Sequence, residues 1–193
     1  MTVSASPVAA PRTAAQPARW TIDAAHSSVG FSVRHMMISN VRGEFTSFSG
    51  QVVYDPRSPE SARVSASIDV TSLSTRDAKR DEHLRSADFF NADRYPILTF
   101  ESRSVVPDGS DRLKVVGDLT IAGTTREVVL EARDITKPQV DPWGKRRIGA
   151  SARTKLRRSE FGMQWNAALE AGGVLVGDEV TIDIDVSLVS ADA

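Results

Sequence analysis

The chain has 193 residues, 40% of them hydrophobic and 25% charged, with a net charge of −1 and no cysteine. That length suits one globular domain with a sizeable core. Disulfides, thiolate metal sites and cysteine nucleophiles are excluded, and nothing in the overall charge points to nucleic acid or an anionic surface.

Residues 1–19 are rich in Ala, Pro, Ser and Thr and carry Arg12 and Arg19 but no acid. Pro7, Pro11 and Pro17 interrupt every apolar block, so the segment reads as a disordered tail without a secretory signal, and the expected location is cytoplasmic. No apolar run approaches the roughly 18 residues that a membrane-spanning helix needs.

From Trp20 the pattern alternates. Trp20 to Asp23 starts it, Ala24-Ala25 breaks it, and Val29, Phe31 and Val33 resume it on one face. Arg42 to Tyr54 reads as a long strand whose phase slips between Phe45 and Phe48, as a bulge would make it do. Ala62 to Val70 alternates strictly, with Val64, Ala66, Ile68 and Val70 on the dry side. The period then changes. Ser74 followed by Asp77 predicts a capped helix over about Arg76 to Ser86, with Asp81 and Arg85 as an i,i+4 ion pair, lying as a plug over one end of the fold.

Strands are predicted again at Ile97–Val105, at Leu113–Ile121 and at Arg126–Asp134, the last two joined by a turn at Ala122-Gly123-Thr124-Thr125. Lys137 to Lys145 holds two prolines and reads as a loop. Ile148, Ala150, Ala152, Thr154 and Leu156 share a face, and Phe161 to Asp178 is a long connection. Val180 to Leu188 closes the chain with strict alternation: aliphatics at every second position, Thr, Asp, Asp and Ser between. The expected architecture is therefore all-β, an eight-stranded antiparallel barrel over residues 20–190 with a short helix near one end.

An eight-stranded barrel is just wide enough to be filled by side chains or to hold one small ligand. Ala66, Gly117, Ala132, Ala150 and Ala152 on inward phases favour an apolar cavity; a sandwich in which small residues face large ones fits the same pattern. His26, His35 and His83 form no zinc-binding spacing, and no G-x-S-x-G elbow exists, so no catalytic or metal residue is assigned. Lys145, Arg146, Arg147, Arg153, Lys155, Arg157 and Arg158 follow one another without an acid. The phase turns Arg153, Lys155 and Arg157 outward, towards Asp183 and Asp185 on one side and Glu127 and Glu131 on the other, so they read as cross-strand partners rather than a nucleic-acid patch. Arg146, Arg147 and Arg158 are candidates to meet an anionic head group at the mouth.

Three stretches resemble the YceI-like family of lipid-binding proteins: Trp20-Thr21-Ile22-Asp23 with Phe31-Ser32-Val33-Arg34-His35; Arg80-Asp81-Glu82-His83-Leu84 through Phe89-Phe90 with Tyr95-Pro96; and Gly117-Asp118-Leu119-Thr120-Ile121 with Gly123-Thr124-Thr125. The resemblance implies a lipocalin-like barrel, a homodimer, no enzymatic activity, no cofactor in the catalytic sense, and an apolar channel for an isoprenoid lipid such as a polyprenyl phosphate or an isoprenoid quinone. The inward residues expected to line it are Phe31, Val33, Ile68, Phe100, Leu119, Leu130, Ala150, Ala152, Ile182 and Ile184. The rival readings are an enzyme with a histidine and a carboxylate inside the cavity, and an interaction module with a filled core.

Overall fold

The structure, a computed structural model, describes residues 18–169 and 172–191. The tail expected over residues 1–19 lies, as far as residue 17, outside the described residues; Ala18 and Arg19 already belong to the first strand. In chain order the strands are β1 Ala18–Ile22, β2 Ser28–His35, β3 Ser39–Phe45, β4 Phe48–Tyr54, β5 Arg63–Asp69, β6 Leu73–Ser74, β7 Ile97–Pro107, β8 Leu113–Ile121, β9 Thr124–Arg133, β10 Gln139–Val140, β11 Arg146–Arg157 and β12 Val176–Ser190. One α-helix, α1, spans Ala78–Arg85.

These twelve segments fill eight positions around a closed antiparallel barrel. β12 pairs with β1 through Ile22↔Leu188 and, further along the same edge, with β2 through Val33↔Val180. Thus β1 and β2 are one strand interrupted at residues 23–27. β3 and β4 are likewise one strand, pairing with β2 and β1 in turn, and β5 and β6 pair with β4 and β3. From there the chain meanders through β7, β8, β9 and β11, and the β11–β12 ladder from Arg147↔Val189 to Arg157↔Glu179 closes the ring. Closure removes the unpaired edges that a flat sheet of such strands would expose. The end holding Tyr54, Leu113 and Ile148 is called upper below, and the end holding His35, Ile97 and Val176 lower.

The phase slip between Phe45 and Phe48 is real: Thr46 and Ser47 leave the ladder, Thr46 N–H donates to the Ser72 carbonyl at 3.3 Å, and both phenylalanines still point inward. The β8–β9 connection is a two-residue turn with left-handed backbone at Ala122 (φ +48°) and Gly123 (φ +75°), where the Tyr95 ring also lies too close for a Cβ at Gly123. The expected loop at Lys137–Lys145 instead contains β10, which folds back on β11 as a short hairpin.

The helix begins later than its sequence suggests. Asp77, not Ser74, is its cap, accepting from Arg80 N–H at 3.1 Å, while Ser74 is taken into β6. The expected Asp81–Arg85 pair does not form either. Asp81 is buried and accepts from both the backbone N–H (2.8 Å) and the hydroxyl (2.5 Å) of Thr75, and Arg85 donates to the Leu73 carbonyl at 2.7 Å. Two hydrogen bonds to a buried carboxylate outweigh an exposed helix pair worth about 0.3–0.5 kcal/mol. They fasten α1 beneath the lower end of the barrel.

Candidate ligand chamber in the barrel

Alternation sends the aliphatic face of every long strand inward, and the inward faces do not meet across the axis. They enclose an upper chamber of about 220 Å³. Its wall includes Ile68, Phe100, Leu119, Leu130, Ala150, Ala152, Ile182 and Ile184, eight of the ten residues expected from sequence. The other two, Phe31 and Val33, line a lower chamber of about 100 Å³ together with Leu84 from α1, Phe89, Phe90 and Met163. Phe45, Leu98, Ile121, Leu156 and Ile182 border both spaces, so the two are stacked along the axis with one layer of side chains between them. Both present apolar surface throughout.

The small inward residues do not all leave room. At Gly117 an added Cβ would stand 2.6 Å from the Phe100 ring, so that notch is occupied by Phe100 rather than open to a guest. Gly43 is filled in the same way by Phe31, and Gly50 by Ile22. Ala66, Ala132, Ala150 and Ala152 do face the upper chamber.

The lower chamber is closed by α1 and by the segment after β11. Phe161 is fully buried, Met163 nearly so, and Trp165 packs against Phe89 and His83 with ring centroids 5.5 and 4.6 Å apart. Arg158 holds this segment in place. Its guanidinium is buried, donating from Nε to the Gly177 carbonyl (2.9 Å) and from Nη1 to the carbonyls of Met163 (2.6 Å) and Trp165 (2.9 Å). Burial pushes its pKa below the usual arginine value. Its donors are committed to the backbone, so it is a clamp on the lid and not the head-group contact expected at the mouth.

Arg147 is committed as well. It donates to Asp23 Oδ2 (2.6 Å), Asp141 Oδ2 (2.8 Å) and Ser187 Oγ (3.2 Å), tying the β10–β11 hairpin across β12 to the break between β1 and β2. Its guanidinium holds the Asp23 and Asp141 carboxyls below their ordinary value of 3.8, with His26 adding to the effect at Asp23. Of the three cations expected at the mouth, Arg146 alone keeps an exposed guanidinium, lying 5.6 Å from the Trp20 ring. Arg153 pairs across the sheet with Asp183 as its phase foretold, whereas Lys155 takes Glu179 (2.8 Å) and the expected Glu127 pairs with Arg103 (3.3 Å).

Among the described residues two histidine–carboxylate pairs form, His26–Asp23 and His83–Asp88, each at 2.9 Å, and neither lines a chamber. Among the described residues no group of three His, Asp or Glu side chains is placed to hold a metal ion, and no helix is long and apolar enough to cross a membrane.

Most of the upper wall missed by the sequence reading, such as Val52, Val115 and Val186, carries the same alternation and follows from it. Leu84, Phe89, Phe90 and Met163 carry no such signal, because they come from a helix and loops whose placement depends on tertiary contacts.

A closed eight-stranded antiparallel barrel with an apolar interior and a short helix across one end is a lipocalin-like architecture. The YceI-like domain matches residues 20–188, and the chain belongs to that family. A UPF0312 protein of Vibrio cholerae serotype O1 is 41% identical over 153 residues, covering 78% of this chain and 80% of the relative. Among solved structures, Burkholderia cenocepacia BcnA superposes with a TM-score of 0.76 at 26% identity, covering 86% of this chain and 98% of that one. A polyisoprenoid binding domain from Saccharophagus degradans shares the fold with a TM-score of 0.65 at 15% identity, covering 90% of this chain and 99% of that one.

Proposed function

We propose that the protein binds and carries one amphipathic isoprenoid lipid, such as a polyprenyl phosphate or an isoprenoid quinone, with the tail in the barrel and the polar head outside it. The observation that carries this reading is the pair of stacked chambers with wholly apolar surfaces. Together they reach the lower end of the roughly 300–1,000 Å³ usual for small-molecule sites. An apolar chain entering them gains dispersion contacts and about 25 cal/mol for each Å² removed from water. The shape, two compartments on one axis, suits a narrow flexible chain better than a rigid disc. The polyisoprenoid-binding description of the Saccharophagus degradans domain supports the same class of guest.

A head group finds no hydrogen-bond partner on the chamber walls, so it stays at an end of the tube, and at the upper end Arg146 is the cation free to meet it. No catalytic role is assigned, because the surface facing the chambers is apolar and neither histidine–carboxylate pair lines them.

The test is substitution of Ala150→Trp and Ala152→Trp, which fill the upper chamber from the β11 wall. Native purification, organic extraction and mass spectrometry should find a prenyl lipid with the natural chain and not with the variants, while far-ultraviolet circular dichroism is unchanged. Lipid recovered equally from well-folded variants would overturn the reading.

A further inference from the structure

The β10–β11 hairpin stands beyond the upper chamber, whose wall includes Ile135 and Ile148 in its two stems. Its tip contributes nothing to the core: Val140 is 70% and Trp143 80% exposed. The backbone that presents them is nevertheless firmly built. The Asp141 carboxylate accepts from the N–H groups of Trp143 (3.0 Å) and Lys145 (2.9 Å) and from Arg147 Nε. Gly144, at φ +85°, closes the turn by donating its N–H to the Asp141 carbonyl at 2.9 Å. Presenting an indole to water from a fixed turn forgoes the burial that stabilises aromatic side chains elsewhere, and an exposed aromatic on a preorganised backbone is what a docking contact needs. Lys145 and Arg146 flank it, and among the described residues neither makes an ion pair with a carboxylate.

We propose that this hairpin docks the upper end of the barrel onto a bilayer containing anionic lipid. Trp143 and Val140 enter the head-group region, where an amphipathic ring is best accommodated, and Lys145 and Arg146 face the phosphates. A second copy of the chain fits the tip less well. The same cations would meet each other across a two-fold axis, and a single turn offers far less than the roughly 1,200–2,000 Å² of a stable interface. The inference goes beyond the proposed cargo, since it concerns where the barrel sits and not what it encloses.

The experiment is cosedimentation of the full chain with vesicles of phosphatidylcholine alone and of phosphatidylcholine mixed equally with phosphatidylglycerol. Binding is expected to the mixed vesicles only and to weaken as salt is raised. Trp143→Ala should weaken it on the order of tenfold or more, and Lys145→Glu by roughly fivefold or more. Ile38→Ser serves as the comparison, because Ile38 is 76% exposed at the opposite end of the barrel, and should leave binding unchanged. No cosedimentation of the natural chain, undiminished binding of Trp143→Ala, or loss on Ile38→Ser would overturn the proposal. So would a Trp143→Ala variant whose only change is dissociation of a dimer, which would assign the tip to a second copy. Prenyl-chain uptake measured without vesicles should be the same in Trp143→Ala and the natural chain; its failure in both would count against the cargo and leave the vesicle result standing.

Discussion

At the upper end of the barrel the wall does its own closing. Trp20 turns inward from β1, 1% exposed, and packs with Ile148 and Leu188, while Arg147 ties β11, β12 and the β1–β2 break together on the outside. At the lower end α1 and the segment after β11 cover the opening, held by Asp81, Arg158 and a cluster of rings. The upper closure rests on ladder hydrogen bonds and side-chain bulk. The lower rests on a few charged groups satisfied by backbone. Strands alone therefore close one end of this tube, whereas the other depends on pieces that must dock.

The largest expected effect is at the upper plug. Trp20→Ala should lower unfolding free energy by about 3–5 kcal/mol in a urea titration, as truncation of a buried aromatic does. The Trp20 indole N–H is buried without a hydrogen-bond partner, so Trp20→Phe should cost far less. Equal losses for the two would mean that the N–H matters and the packing account of this end is wrong.

At the lower end Arg158→Met leaves the carbonyls of Met163, Trp165 and Gly177 without their donor, at about 3 kcal/mol. Hydrogen exchange should speed up first within residues 162–169 and 172–177 while the β11–β12 amides near Ile148 keep their protection. Uniform acceleration along both would erase the distinction between wall and lid.

Acid should loosen the upper clamp. The depressed carboxyls of Asp23 and Asp141 stabilise the fold fully above their ordinary value of 3.8, and that contribution is lost as pH falls through their lower folded values. Below about pH 4 the β10–β11 hairpin should loosen, and Asp141→Asn should flatten the response. The smallest effect is expected at the β2–β3 turn, where Met37 is held at φ +60°. Met37→Gly relieves that backbone and should raise stability by about 0.5–1 kcal/mol; a loss would show that the exposed methionine is held by contacts.

The wall was legible in the sequence because strand periodicity ties phase to side. Ala150, Ala152, Ile182 and Ile184 could be turned inward from their neighbours alone. Phe31 and Val33 were legible in phase, but the separate chamber they line exists only because Leu84 and Met163 arrive from outside the sheet. Asp81 read as a surface charge since nothing in its helix announces that Thr75 waits beneath it. Gly117 read as empty space since a glycine does not disclose which ring has moved into it. Local pattern reports orientation; it does not report partners brought together by the fold.

The exchange between Gly117 and Phe100 gives the tube an adjustable calibre. Because the ring lies in a notch that only a hydrogen side chain permits, and the Glu101 carbonyl oxygen stands just as close to it, one added methyl group at position 117 would shift β7 as well as the ring and alter the usable bore. Trimming the ring to a smaller aliphatic would lengthen it. The space inside this barrel thus depends on how bulk is shared between two neighbouring residues, Gly117 and Phe100.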